Sequence, residues 1–184
     1  MLTRDRPRGT RFLAGLLAGG AVASGLLGLP AYLAGTALAA LAPLPVREIA
    51  AGLAIAALGV ADMADRTPHV WRQVPQSLVR TLPPGRLGLV WGFDLSLLVT
   101  TQKSTSLVWA ALAGLVCLAP SHAALVLLGA TAAGVAAIAL RAATWNESQA
   151  RCDVRRPWFV PMRRTTGAAL LVLGMVTFWQ GVIP

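Results

Sequence analysis

The strongest constraint on this chain is a long apolar stretch, Leu87–Pro120, that has polar residues in its middle. Asp94 precedes them, and they form a polar island of Thr100, Thr101, Gln102, Lys103, Ser104, Thr105 and Ser106. A lysine or an aspartate at the centre of a membrane helix costs roughly 2.5–3.5 kcal/mol, so such groups usually pair or face a cavity. The sequence therefore predicts that the island is either the mouth of a broken helix or the lining of a site.

The composition is typical of membrane proteins. The 184 residues are 56% hydrophobic and 12% charged, whereas a soluble domain carries about 25% charged residues. The net charge is +9, and the basic residues form short clusters between apolar segments, as in the cytoplasmic loops of membrane proteins. This distribution predicts an all-α polytopic bundle in a lipid bilayer and argues against a nucleic-acid partner.

Five apolar segments are candidates for membrane spans, because about 20 apolar residues cross a hydrocarbon core. They are Phe12–Ala42, Val46–Met63, Leu87–Ala119, Ala123–Leu140 and Gly167–Ile183. The first and the third are too long for one crossing. Each contains an interruption, which is Leu29-Pro30 in the first and the polar island in the third. Since proline removes a backbone donor and kinks or breaks a helix, we expect about five spans, two of them interrupted.

The basic residues set the orientation of this single membrane domain. Its parts are a basic tail (1–11), a first half (12–63), a loop (64–86), a second half (87–140), a loop (141–164) and a last span (165–184). Placing the tail and both loops in the cytoplasm requires an even number of crossings between them. Five spans satisfy this with the N-terminus inside and the C-terminus outside. Fifteen of the sixteen basic residues are Arg, which hints at a GC-rich bacterial genome and hence a bacterial cytoplasmic membrane.

Two features of this arrangement leave alternatives open. If each long segment is a re-entrant hairpin, the loop 64–86 lies outside instead of inside. The order of segments also repeats, and Leu41-Ala42-Pro43 matches Leu118-Ala119-Pro120 at an offset of 77. Interrupted segments at corresponding places in two halves indicate a transporter-like site; the alternative is two unrelated helical hairpins.

Asp94 and the polar island supply the candidates for a ligand or ion pathway. In the functional interpretation, Asp94 is an ion-coupling carboxylate, and Ser96 and Thr101 are supporting oxygens. In the structural interpretation, Asp94 is hydrogen-bonded to neighbouring helices or paired with Arg86 at the interface. The candidates are Asp94, Ser96, Thr100, Thr101 and Lys103.

The loops combine arginine with tryptophan, a pattern typical of anchoring at lipid headgroups. The expected anchors are Trp71, Arg72, Trp158, Arg163 and Arg164. For the loop 64–86, a surface for a cytoplasmic partner is the alternative. Within the first span, Gly15-x-x-x-Gly19 predicts close packing against another helix, either inside the bundle or in another subunit.

The sequence has no pattern typical of catalysis, of a metal centre or of a cofactor. His69 and His122 are isolated, and Cys117 and Cys152 lie 35 positions apart with no Cys-x-x-Cys motif. The five-span topology puts these two cysteines near opposite faces of the membrane, so we expect no disulfide between them. We expect no metal, no cofactor and no catalytic residue.

One stretch resembles a known family. The segments Phe12-Leu13-Ala14-Gly15-Leu16-Leu17 and Leu29-Pro30-Ala31-Tyr32-Leu33-Ala34-Gly35 look like the first broken helix of the CcdA and DsbD-type membrane thiol–disulfide electron carriers. The resemblance covers residues 12–35 and implies two broken helices, each with a cysteine that carries reducing equivalents. This chain has no cysteine in that stretch, and Thr100 and Thr101 stand in its second interrupted segment. No catalytic residue is carried over.

Two main function classes follow from these observations. The first is a non-enzymatic membrane subunit or scaffold that packs with partner membrane proteins or with itself. Small-residue helices and short loops support it. The second is a small transporter with a site between the interrupted helices, supported by Asp94, the island and the repeat. A cysteine-poor relative of the thiol–disulfide carriers is a distant third.

A labelling experiment tests the polar island. In a chain whose two cysteines are replaced by serine, Thr101→Cys and Lys103→Cys should each react with a membrane-impermeant thiol reagent if the island lines a water-accessible site. If Lys103 only extends to the headgroups, labelling should be confined to position 103 and its immediate neighbours. Complete protection of positions 100–106 would contradict both interpretations.

Overall fold

The computed structural model describes residues 6–68, 77–97, 105–144 and 159–183. These residues form helices, with no strand among them, which confirms the predicted all-α class. In chain order the helices are α1 (Arg6–Leu41), α2 (Leu44–Met63), α3 (Leu78–Thr81), α4 (Pro84–Ser96), α5 (Leu107–Leu118), α6 (Ala123–Thr144) and α7 (Phe159–Val182). A short 3₁₀ turn, Pro120–His122, precedes α6.

Four of these helices are long and apolar enough to cross a membrane. The stretches are Pro7–Leu41, Leu44–Met63, Pro120–Leu140 and Val160–Val182. They correspond to the first, second, fourth and fifth predicted spans. The third predicted span consists instead of two shorter helices, α4 and α5, because α4 ends at Ser96 and α5 begins at Leu107. The polar island therefore separates two helices, as its composition predicted.

The other predicted interruption is wrong. Pro30 lies inside α1, which continues to Leu41. A proline removes one backbone hydrogen bond. Packing stabilises the helix directly after Pro30, where Ala31 is buried with Leu115 and Ala123. Because α1 is one continuous helix, the first long segment is not a re-entrant hairpin.

The helices are divided between two compact units, neither of which is a contiguous half of the chain. The first unit comprises Met1–Leu27, Val70–Thr101 and Leu125–Arg156. The second comprises Gly28–His69, Gln102–Ala124 and Pro157–Pro184.

In the first unit, glycines bring α1 and α4 into backbone contact. A Cβ added at Gly15 would meet the Gly85 carbonyl oxygen, and one added at Gly92 would meet the Leu16 carbonyl oxygen. Residue numbers rise together along the two helices, so α1 and α4 run parallel. The close packing predicted from Gly15-x-x-x-Gly19 is confirmed, and the partner is a helix of the same chain. Phe12 adds an edge-to-face ring contact with Trp91, with centroids 6.2 Å apart.

In the second unit, α2 and α7 pack antiparallel in a seven-residue register. A Cβ added at Gly52 would lie 2.7 Å from the Gly174 carbonyl oxygen, and one added at Gly59 would lie 2.7 Å from the Gly167 carbonyl oxygen. At the far end, a Cβ at Gly181 would lie 2.6 Å from the carbonyl oxygen of Pro45. Seven-residue spacing keeps small residues on one helix face, which allows the two backbones to touch along their length.

This register predicts opposite effects of two matched glycine substitutions. Gly174→Ala places a methyl group 2.5 Å from the Ala56 nitrogen, so the helices must separate, at a cost of about 1–3 kcal/mol. Gly25→Ala has no neighbouring atom within 4 Å among the described residues, and alanine favours a helix over glycine by about 1 kcal/mol. Thermal unfolding of the purified protein should show a lower Tm for Gly174→Ala and an equal or higher Tm for Gly25→Ala. Equal behaviour would contradict the register.

Candidate functional site

A row of hydroxyl groups joins three helices in the first unit. Ser24 Oγ of α1 donates to the Gly20 carbonyl oxygen at 2.8 Å and lies 3.0 Å from Thr131 Oγ1 of α6. Thr131 Oγ1 lies 3.3 Å from Ser96 Oγ at the end of α4. A hydroxyl has one proton to donate, and that of Ser24 is used on Gly20. Thr131 therefore donates to Ser24, and Ser96 donates to Thr131.

Glycine makes room for this hydroxyl row. A Cβ added at Gly20 would collide with the Thr131 side chain and would lie 2.8 Å from Ser96 Oγ. Ser24 is itself buried. The row thus satisfies polar groups where α1, α4 and α6 meet, and it includes Ser96, one of the predicted site residues.

Asp94 is buried in the same unit, with 7% of its surface exposed. It has an interaction partner. Asp94 and Ser96 are two residues apart in α4, and such positions do not share a helix face. The two side chains therefore belong to different faces of the helix that leads into the island. The remaining candidates, Thr100, Thr101 and Lys103, lie outside the described residues.

A second polar cluster, centred on Asp62, lies in the second unit. The Asp62 carboxylate is fully buried and accepts three hydrogen bonds. Ser106 donates twice, through its backbone N–H to Oδ2 at 2.7 Å and through Oγ to Oδ1 at 2.6 Å. Thr67 Oγ1 donates to Oδ1 at 2.7 Å. We refer to Asp62, Thr67 and Ser106 as the Asp62 cluster.

The Asp62 cluster holds the beginning of α5. Asp62 is the penultimate residue of α2, and Ser106 is the last residue of the polar island, directly before α5. A carboxylate at a helix N-terminus satisfies free N–H groups and matches the positive end of the helix dipole. After α2 the chain makes a turn in which Asp65 has φ 57°. This turn brings Thr67 back to the same carboxylate. Gly167 of α7 leaves space, since a Cβ there would lie 3.0 Å from Asp62 Cβ.

Arg47 contacts the other end of α5. Its Nη1 donates to the Cys117 carbonyl oxygen at 3.1 Å, in the last turn of a helix that ends at Leu118. An arginine complements the negative end of the helix dipole. Both ends of α5 are therefore held by side chains of α2, which carries Arg47 near its beginning and Asp62 near its end.

Two of the predicted lipid anchors contact an acidic residue within the second unit. Arg163 Nη1 lies 3.5 Å from Asp65 Oδ1, and Arg164 Nη2 lies 3.8 Å from Asp65 Oδ2. These pairs join the first turns of α7 to the turn after α2. Arg164 stays 63% exposed and is therefore also available to headgroups. The other predicted anchors, Trp71, Arg72 and Trp158, lie outside the described residues.

The sequence interpretation overlooked Asp62. It lies at the end of an apolar segment, where an acid looks like an ordinary interfacial charge, and its partner Ser106 is 44 positions away. One signal was available, because the last residue of the polar island precedes an apolar run and its backbone N–H needs an acceptor. Within the described residues, no three His, Cys, Asp or Glu side chains form a group that could hold a metal ion.

Comparisons with protein-family models, with curated proteins and with solved structures found no match to this chain.

The Asp62 cluster predicts an ordered series of stabilities. Asp62→Ala leaves the Ser106 N–H and two hydroxyls without their acceptor, at a cost of about 1–3 kcal/mol for each group that stays unsatisfied. Asp62→Asn keeps the shape and one acceptor oxygen and should cost less, about 1–3 kcal/mol. Asp65→Asn removes the same charge from a site that is 43% exposed and should cost less than about 1 kcal/mol. Thermal unfolding should therefore rank Asp62→Ala below Asp62→Asn and both below Asp65→Asn. A wild-type Tm for Asp62→Ala would refute the role assigned to this carboxylate.

Proposed function

We propose that this protein is a non-enzymatic membrane subunit or scaffold that packs against a partner membrane protein through the outer face of α6. This face consists of Leu125, Gly129, Ala133, Ala136 and Leu140, all of them exposed. It is the single observation on which the proposal rests.

The two sides of α6 differ in their packing. Leu127 is buried and Thr131 is partly buried, and Thr131 takes part in the hydroxyl row. These residues are four apart and share one face. The outer face lies on the opposite side of the helix. Only 11% of the apolar stretch of Pro120–Leu140 is buried.

Small residues at this spacing support a protein partner. Lipid chains are as apolar as leucine, so helices associate in membranes by close backbone packing at small residues. The glycines of α2 and α7 each contact the partner backbone. In contrast, a Cβ added at Gly129 would have no atom within 4 Å among the described residues. Gly129-x-x-x-Ala133 has the spacing that such packing uses.

Helix directions agree with the five-span topology, while the proposed bacterial cytoplasmic membrane with the N-terminus inside rests on the arginine-rich tail and loops. Five spans require that the first and third segments cross in the same direction, and α1 and α4 are parallel within their unit. The same topology requires that the second and last spans cross in opposite directions, and α2 and α7 are antiparallel.

The partner surface predicts a site-specific crosslink. A photoreactive residue at position 133, introduced in living cells, should give one discrete protein adduct, whereas the same residue at position 173 should not. Leu173 is 52% exposed on α7 and serves as the control. Gly129→Leu separates the helix backbones and should lower the adduct yield by about tenfold or more, while Gly25→Leu should leave it unchanged. Equal adducts at positions 133 and 173 would contradict the proposal.

A second candidate function is transport of a small polar solute or ion. The observation that favours it is the break between α4 and α5, which has the part-buried hydroxyl row at Ser96 before it and the buried Asp62 cluster at Ser106 after it. Discontinuous helices of this kind occur at transporter sites. Labelling of positions 101 and 103 without an adduct at position 133 would favour this function.

A relationship to thiol–disulfide carriers remains a prediction, and Cys117 is a free thiol.

A further inference from the structure

The parallel packing of α1 and α4 brings two arginines together where these helices begin. Arg11 lies one helical turn before Gly15 on α1, and Arg86 directly follows Gly85 on α4. A Cβ added at Gly15 would meet the Gly85 carbonyl oxygen, and one added at Gly85 would lie 3.7 Å from the Arg11 carbonyl oxygen. Two arginines that are far apart in the sequence therefore lie on neighbouring turns of two packed helices, within the first unit.

This pair of positive charges is accessible and is not matched by an acid. Both arginines are exposed, and neither guanidinium forms a hydrogen bond or an ion pair with another described residue. Asp94 is the one acidic residue of the first unit among the described residues, and it lies eight positions after Arg86, about 12 Å along the helix axis. Arg86 is also the third residue of α4, where the positive end of the helix dipole adds to its charge. An anion between the two guanidinium groups would relieve this accumulation of positive charge.

An exposed apolar surface begins directly after the two arginines. Ala14 and Leu89 each follow their arginine by three positions, which places them on the same helix face as that arginine, and both are exposed. A Cβ added at Gly15 would lie 2.9 Å from the Leu89 nitrogen, so Leu89 borders α1 as well. Since Arg11 lies near the beginning of the candidate span Pro7–Leu41, the charged pair and the apolar surface follow the order of a phospholipid headgroup and its acyl chains.

We propose that Arg11 and Arg86 together bind the phosphate of one anionic phospholipid, whose acyl chains lie along Ala14 and Leu89. A guanidinium binds phosphate oxygens through two N–H groups at once, and basic sites between membrane helices are where such headgroups bind. The adjoining apolar surface favours a lipid over a soluble anion as the occupant. Neither arginine is among the anchors expected from the sequence, and the site is independent of the outer face of α6.

The test uses the full-length protein in a neutral detergent and measures lipid binding by the rise in Tm, since a ligand of the folded state stabilises that state. The probes are phosphatidylglycerol, phosphatidylcholine and inorganic phosphate. We expect only phosphatidylglycerol to stabilise the wild type. Arg11→Gln and Arg86→Gln should each weaken its binding by about tenfold or more. Arg66→Gln removes an exposed arginine of the second unit and should leave binding unchanged.

The double variant of Arg11→Gln and Arg86→Gln tests whether one headgroup uses both arginines. If it does, either single substitution already removes most of the affinity, so the double variant should bind little worse than each single variant. Without lipid, all these variants should unfold near the wild-type Tm, because the substituted residues are exposed.

Three results would overturn the proposal. Effects of the two substitutions that simply add would show two arginines that attract lipid independently. An equal loss of binding in Arg66→Gln would show that only the total charge matters. Equal stabilisation by phosphatidylcholine or inorganic phosphate, or none by phosphatidylglycerol, would exclude an anionic lipid at this site.

Discussion

Every helix end that lies in apolar surroundings needs partners for its free N–H and C=O groups, and the structure of the second unit depends on this constraint. α5 has 12 residues, about 18 Å of helix, which is shorter than a hydrocarbon core of about 30 Å. The chain supplies those partners from one neighbouring helix. Asp62 accepts a hydrogen bond from the Ser106 N–H directly before α5, and Arg47 donates one to the Cys117 carbonyl oxygen in the last turn of α5. A helix too short to cross a hydrocarbon core is thereby fixed at both of its ends.

This solution makes α2 the central element of its unit. Gly52 and Gly59 of α2 allow the backbone of α7 to approach, while Arg47 and Asp62 hold α5. The two kinds of contact depend on each other, because Gly167 of α7 both touches Gly59 and leaves space for Asp62. A loss of the glycine register would therefore also disturb the buried carboxylate. This coupling explains why one apolar helix carries glycines in its middle and charged residues near its two ends.

The sequence predicted the helical class, the apolar segments and the helix break at the polar island, because these follow from composition and local polarity. It did not predict Asp62, since the relevant partner lies 44 positions away and only packing brings the two together. The α2–α7 register was also missed, although seven-residue glycine spacing is visible in both segments. Asp94 and Ser96 were predicted together as neighbours in sequence, yet a helix directs positions i and i+2 to different faces.

Pro30 and the polar island show what ends a helix in this protein. Proline removes one donor from α1, and the helix continues with Ala31 packed in a core. Ser106, the last residue of the island, has a buried acceptor for its backbone N–H in Asp62. α1 therefore continues past one lost hydrogen bond, whereas α5 begins where a side chain satisfies the free backbone N–H before it. By this argument Asp62 contributes to the break between α4 and α5, because its hydrogen bonds stabilise a non-helical conformation of Ser106, directly before Leu107.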